Sequence, residues 1–339
     1  MAANLQRVAE RKAQTYDALV TKLIAALWNL WATATPSQLW DDTFAWGRAA
    51  RSAVLVESAL RQAQRQSRSY AMTALRSLDA APSQIDPVEY IYPRFDTTTL
   101  EAYQRPATAG RWAWSQGHQG EAMDAVRDRI EQLVEADVRA IDNREQRDTY
   151  AATPTVTGYR RVIHPELSTS GTCGLCIAAA SRFYSVRDLM PMHDRCRCET
   201  LPIVGDEDPG LQLNDDDLAR LYGAAGGTGR QELARVRIQT VENGELGPIL
   251  APEGQKHRGP AAAGHRRYRE PNRDDQHRSW QRMRETSQTW ADQLERAAAT
   301  GRPQTFTYLG RDYTVEANPE ALRYHRALVE RMTANLQAA

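Results

Sequence analysis

The chain has 339 residues, with 43 basic and 43 acidic side chains and a formal net charge of zero. That length allows two or three domains, and the charge balance excludes a protein that coats nucleic acid with its whole surface. Only Lys12, Lys22 and Lys256 are lysine, and 41% hydrophobic content with four Phe suits a long helical shape better than one thick globule.

In chain order, the first 150 residues read as an elongated helical bundle. Tyr16, Leu19, Leu23, Leu27 and Leu30 recur at three- and four-residue steps on one stripe of a helix that Pro36 closes. Ser37 is the expected cap of a second, longer helix carrying Val56, Leu60, Ala63, Tyr70, Ala74 and Leu78 and stopping near Ala80. Prolines 82, 87, 93 and 106 mark an irregular connection. A third helix, with Met123, Val126, Ile130, Val134, Val138 and Ile141 apolar, is expected to end near Asp142-Asn143. Trp28, Trp31, Trp40 and Trp46 crowd the first 46 residues, yet the uncharged run from Leu23 to Ala34 spans only 12. About 20 are needed to cross a bilayer, so core or partner-helix packing is expected and no membrane span. Trp112 and Trp114 read either as core or as an anchor on a partner.

From Thr155 to Ile203 the pattern changes to β-type runs at Gly158 to Ile163 and Glu199 to Val204, with a helix from about Cys176 to Ser181. Arg160 and Arg161 read as solvated surface residues, with contact to phosphate or to a partner protein as the competing reading. Asp206 to Gly210 reads as a linker, and Asn214 followed by three aspartates suits a helix N-terminus. Gly223 to Gly229 lacks the Gly-Lys-Ser/Thr ending of a phosphate loop and reads as a flexible joint. Residues 252–284 form a flexible basic segment, in which Arg266, Arg267, Arg269, Arg273 and Arg278 are the candidate contacts to nucleic acid or an acidic partner; a solvated tail is the competing reading. A helix around Trp280 to Ala298, a hairpin turning on Gly310 and a final helix from Pro319 close the chain.

All four cysteines fall within 26 residues, as Cys173-Gly-Leu-Cys176 and His193-Asp-Arg-Cys196-Arg-Cys198. Two thiolates two residues apart chelate one ion from a tight turn, and a second His/Cys group from a distant loop completes the tetrahedral shell of structural zinc. Five ligands are on offer for four places. The preferred set is Cys173, Cys176, His193 and Cys196, with Cys198 as substitute or neighbour; as Cys196 and Cys198 lie two apart, an extended segment points them the same way. The competing readings are a pair of disulfides and a catalytic Cys/His pair. The absence of a signal-peptide pattern before Asn4 gives the expectation of a reducing compartment, where disulfides are rare.

Around this cluster, the runs Gly158-Tyr159-Arg160-Arg161-Val162-Ile163-His164-Pro165-Glu166, Gly171-Thr172-Cys173-Gly174-Leu175-Cys176 and Leu189-Met190-Pro191-Met192-His193-Asp194-Arg195-Cys196-Arg197-Cys198 resemble the head-morphogenesis domain of MuF-like minor capsid proteins of tailed bacteriophages. The resemblance covers about residues 155–204, and Val241 to Leu250 is similar to the downstream part of those proteins. The arginine- and alanine-rich composition suits phages of high-GC actinobacteria, whose version is often labelled capsid maturation protease. The resemblance implies a minor capsid protein made beside the portal, resident inside the head near the portal vertex after assembly in the host cytoplasm, and acting in head morphogenesis, genome packaging or ejection. Its partners would be the portal protein, the major capsid or scaffolding protein, and packaged double-stranded DNA.

The expected fold class is therefore mainly α with a small α+β zinc-knuckle module. The expected division is 1–150 for portal or capsid docking, 151–205 for the zinc-binding module and 206–339 for a mixed, partly flexible C-terminal region. A structural, non-enzymatic role is favoured, because neither a Gly-x-Ser-x-Gly elbow nor a His-Glu-x-x-His helix is present. The alternative is the maturation protease. For it, His164, Glu166, Ser168 and Ser170 lie close in sequence, or a catalytic zinc would use Glu199 or Asp194 as base.

Overall fold

The computed structural model describes residues 2–81, 89–115, 118–164, 174–180, 182–192, 196–215, 238–252, 273–308 and 310–338. Among them the fold is mainly helical, with one three-stranded and two two-stranded antiparallel sheets. The helices are α1 (Ala2–Trp31), α2 (Asp42–Ser77), α3 (Thr99–Ala102), α4 (Arg105–Ser115), α5 (Ala122–Ala151), α6 (Gly174–Ala180), α7 (Arg273–Thr300) and α8 (Pro319–Ala338). The chain divides into two compact units, each discontinuous in sequence, whereas the sequence reading drew boundaries after residues 150 and 205. One unit comprises Met1–Ala25, Val54–Thr99 and Gln132–Arg266, the other Ala26–Ala53, Leu100–Glu131 and Arg267–Ala339.

The long helices form where apolar residues repeat with the α period, but several details differ from expectation. On α1 the buried stripe is Leu5, Ala9, Tyr16, Val20, Leu23, Leu27 and Trp31; Leu19 and Leu30 rotate to its half-buried flank. Thr35, not Ser37, makes a capping box with Gln38 over the short 3-10 helix Pro36–Trp40. Asp41 then caps α2, accepting from the backbone of Thr43 and Phe44. All six expected residues of the α2 face are buried, and the helix stops at Ser77 with Asp79 in the left-handed region. The connection holding the four prolines is irregular over residues 89–98, but Pro106 sits in the first turn of α4, where a missing N–H costs nothing.

The largest correction is at α5, which continues eight residues past Asn143 to Ala151. The polar run Asp142, Asn143, Glu145, Gln146 and Thr149, read as the end of the helix, is buried. Polar groups persist inside a core when they bond one another, and these do. Gln64 donates to Glu145 at 2.9 Å, Thr200 to Gln146 at 2.6 Å, and Tyr70 to the Thr200 carbonyl at 2.8 Å.

In the first unit the strands β1 (Val156–Val162), β2 (Phe183–Ser185) and β3 (Glu199–Val204) form a sheet of order β2-β1-β3. The register pairs Tyr159 with Tyr184 on one side and with Pro202 on the other. Pro202 is tolerated because β3 is an edge strand. Tyr159 stacks on Tyr184 and meets Tyr150 at a tilt, in one cluster with Leu75 and Met190, while Val162, Leu201 and Leu213 pack on Leu5, Ala9, Tyr70 and Ala74. The sheet is thus part of the same core as the N-terminal helices. The stretch 206–210 is a short turn leading into helical residues 209–215, and Asp208, not Asn214, caps them by accepting from Leu211 at 3.0 Å. A hairpin of β4 (Ile238–Asn243) and β5 (Gly247–Pro252) follows, its turn held by the Asn243 carboxamide oxygen and by Gly247 at φ 76°.

The second unit is organised by aromatic side chains. Trp290 on α7 meets Phe306 and Tyr313 of the hairpin β6 (Gln304–Tyr308) and β7 (Arg311–Val315) edge-on, at ring-centroid distances of 5.2 and 5.3 Å, and stacks on His325 of α8. That hairpin turns on Gly310 as expected, and α8 begins at Pro319 with Asn318 as its cap. Helix α7 begins at Arg273, earlier than the expected Trp280. Of the tryptophans, Trp31, Trp40 and Trp114 are core residues, whereas Trp46 and Trp112 are about half-exposed. No helix among the described residues is long and apolar enough to cross a membrane.

Candidate metal centre

Three of the four cysteines come together. Cys176 projects from α6, and Cys196 and Cys198 from the segment entering β3; all three are buried, and their sulfurs lie within 4.8 Å of one another. The Cys176 and Cys196 sulfurs are 4.0 Å apart. Two thiolates at about 2.3 Å from a tetrahedral ion stand about 3.8 Å apart, so this spacing fits a shared ion. A disulfide would place them at about 2.05 Å, and none of the three is in a disulfide. The paired-disulfide reading therefore fails for them. Cys198, ranked as a substitute, is a full member of the trio, as its two-residue spacing from Cys196 anticipates. Cys173 and His193 of the preferred set lie outside the described residues.

The local fold explains how the trio is held. Asn214 bridges the backbone behind it, accepting from Ile163 N at 3.0 Å and donating to the carbonyls of Arg161 at 2.6 Å and Ala180 at 3.2 Å. One carboxamide so ties β1 to the end of α6. Arg161, expected on the surface, is fully buried, with its guanidinium 3.4 Å from the Cys196 sulfur and 3.7 Å from that of Cys176. It also donates to the Pro191 carbonyl. Arg139 of α5 holds the other ligand-bearing segment, donating to the carbonyls of Cys198 at 2.7 Å and Cys196 at 3.0 Å.

Behind these arginines lies a buried ionic cluster that pattern reading missed. Lys12 pairs with Asp142 at 2.6 Å and with Glu199, while Arg139 lies 3.1 Å from Asp142 and 3.5 Å from Glu199. Burial raises the Glu199 carboxyl above its ordinary range against the opposing pull of Lys12 and Arg139. Burial likewise pushes the Cys198 thiol up to about 12, so without an ion this sulfur is a thiol at neutral pH. The cluster had one signal in the sequence. Lys12 falls on the buried stripe of α1, three residues after Ala9 and four before Tyr16, and a charge at core register asks for a partner.

Donor set and packing fit a soft or borderline divalent cation, because thiolates select zinc-like ions over hard ones. Such an ion would cross-link α6 to the strand entrance at β3. Of the groups weighed for proteolysis, Glu199 is 0% exposed and enclosed by two cations, unlike a base that must reach water. His164 is buried, and Glu166, Ser168, Ser170 and Asp194 lie outside the described residues. So do the Gly223 to Gly229 joint and Arg266, Arg267 and Arg269, whereas Arg273 opens α7 and Arg278 is exposed on it. No known protein family, curated protein or solved structure matches this chain.

Proposed function

We propose that this chain is a structural minor capsid protein of a tailed phage, of the MuF-like kind, in which one tightly held zinc ion ties α6 to the strand entrance at β3 and so braces the module of residues 151–205. The buried trio Cys176, Cys196 and Cys198 carries the reading, because it lies within the stretch on which the resemblance rests. With Cys173 or His193 as fourth ligand the shell would have no open position for water, so the ion's chemistry would be that of a cross-link. Enclosure of Glu199 between Lys12 and Arg139 supports the structural role over proteolysis. The protein would sit in the head near the portal vertex, contacting portal and capsid or scaffolding protein. The arginines at 266–278 would add a salt-sensitive contact to DNA or an acidic surface.

Mass spectrometry and metal analysis of heads assembled with wild-type protein and with Ser170→Ala and His164→Ala variants test this. The expected result is a few copies per head with bound metal, and unchanged processing of the major capsid protein in both variants. Absence from heads overturns the capsid assignment. Loss of processing with the variant still incorporated establishes the maturation protease instead.

A further inference from the structure

Arg161 is a cation inside the first unit whose role neither strand geometry nor surface solvation explains. It is 0% exposed, and among the described residues no carboxylate pairs with it; its polar neighbours are the sulfurs of Cys176 and Cys196 and the carbonyl of Pro191. Among the described residues, the buried carboxylates Asp142 and Glu199 are taken by Lys12 and Arg139. The adjacent Arg160 serves as a contrast: its guanidinium turns the other way to Asp208, at 2.6 Å. A buried guanidinium needs an anion, and among the described side chains it touches, the anion on offer is a set of metal-bound thiolates.

We propose that Arg161 is the built-in counter-cation of the metal centre, a positioning residue that makes the site selective for a thiolate-rich complex of net negative charge. The inference rests on the metal-centre reading above. A divalent ion with three thiolates carries one negative charge, and one guanidinium adjacent to two of the sulfurs neutralises it. One nitrogen of Arg161, Nη1, reaches Cys176 on α6 and Cys196 on the β3 side together, while Nη2 donates to the Pro191 carbonyl, so the guanidinium draws the two ligand-bearing segments to one distance before an ion enters. Donation of N–H to the sulfurs lowers their electron density, which tunes the metal as outer-shell donors do. Binding releases the thiol protons to solvent.

The test is titration of the full-length, reduced chain with zinc against a competing chelator, and with Co(II) to read the sulfur-to-metal charge-transfer band. Arg161→Gln is expected to lower zinc affinity by about 10- to 100-fold, with Arg160→Gln unchanged. Arg161→Lys retains the charge but offers one nitrogen in place of the two that serve the sulfurs and the Pro191 carbonyl, so its affinity should fall between the two and its Co(II) band should shift. If Arg161→Gln fails to fold, the Lys variant decides: a shifted band supports the proposal, and a band and affinity superimposable on wild type overturn it. Wild-type affinity and spectrum in Arg161→Gln also overturn it. A wild-type chain that takes up neither zinc nor Co(II) removes the metal-centre reading itself, a result distinct from metal that binds with indifference to residue 161.

Discussion

Replacing Lys12 with Met probes the ionic cluster behind the candidate centre. The substitution keeps length and apolar contacts but removes the ammonium that pairs with Asp142 and Glu199, both 0% exposed, and that lies 5.1 Å from the centroid of the Tyr70 ring. Breaking a buried pair by deleting one partner costs about 3–5 kcal/mol, because the remaining charge stays desolvated. Arg139 still reaches both carboxylates, at 3.1 and 3.5 Å, so the lower end, about 3 kcal/mol, is expected. The exposed pair Arg61–Glu57, at 3.5 Å, is the internal control, and Arg61→Ala should cost about 0.5 kcal/mol or less. Urea denaturation followed by far-UV circular dichroism measures both. Adding Glu199→Gln to Lys12→Met should recover part of the loss, since it removes the carboxylate that lost its cation. The deficit should also narrow as the pH falls toward the carboxylate range, where a protonated Glu199 needs no counter-charge. A cost below about 1 kcal/mol, or no recovery in the double variant, would refute the reasoning.

Other consequences can be checked in the same assays. His325, half-buried and stacked on Trp290 near Arg111, has its pKa lowered to about 4 by desolvation first and the arginine second. Since the unfolded imidazole titrates near 6.5, folding stability is complete above that pH and is lost as the pH falls from 6.5 toward 4, by up to about 3 kcal/mol. His325→Phe should flatten that part of the stability–pH curve, and an unchanged slope would contradict it. A Cβ on Gly110 would stand 2.5 Å from Leu39 and 2.8 Å from Val126, both buried, so Gly110→Ala should destabilise by about 1–2 kcal/mol despite its better helix propensity; a more stable variant in thermal melts would show that α4 can shift.

Elements whose side chains obey one local period were legible. The buried face of α2, the β-type runs that become β1 and β3, the hairpin on Gly310 and the helix after Asn318 all follow from local spacing and turn chemistry. What was not legible depends on partners far apart in sequence. Lys12, Asp142 and Glu199 lie more than a hundred residues from one another or nearly 60 apart, as with Arg139 and Cys198, so nothing local marks Asp142 and Gln146 as interior. Polarity alone therefore ended α5 too early, and placed Arg161 on the surface. Asn214 was misread for the same reason, since its carboxamide serves the backbone of β1 and α6 instead of its own helix. The metal site divided along the same line. Cysteine spacing marked the place, whereas membership of Cys198 and the adjacency of Arg161 required the fold.

The most direct test of the central claim is X-ray absorption with elemental analysis on the full-length protein purified in reducing buffer without chelator. The expected result is close to one zinc per chain, with at least three sulfur neighbours at about 2.3 Å, and with the sulfur count falling by one in Cys198→Ser. A chain that carries no metal, or whose zinc keeps the same sulfur count without Cys198, would contradict it.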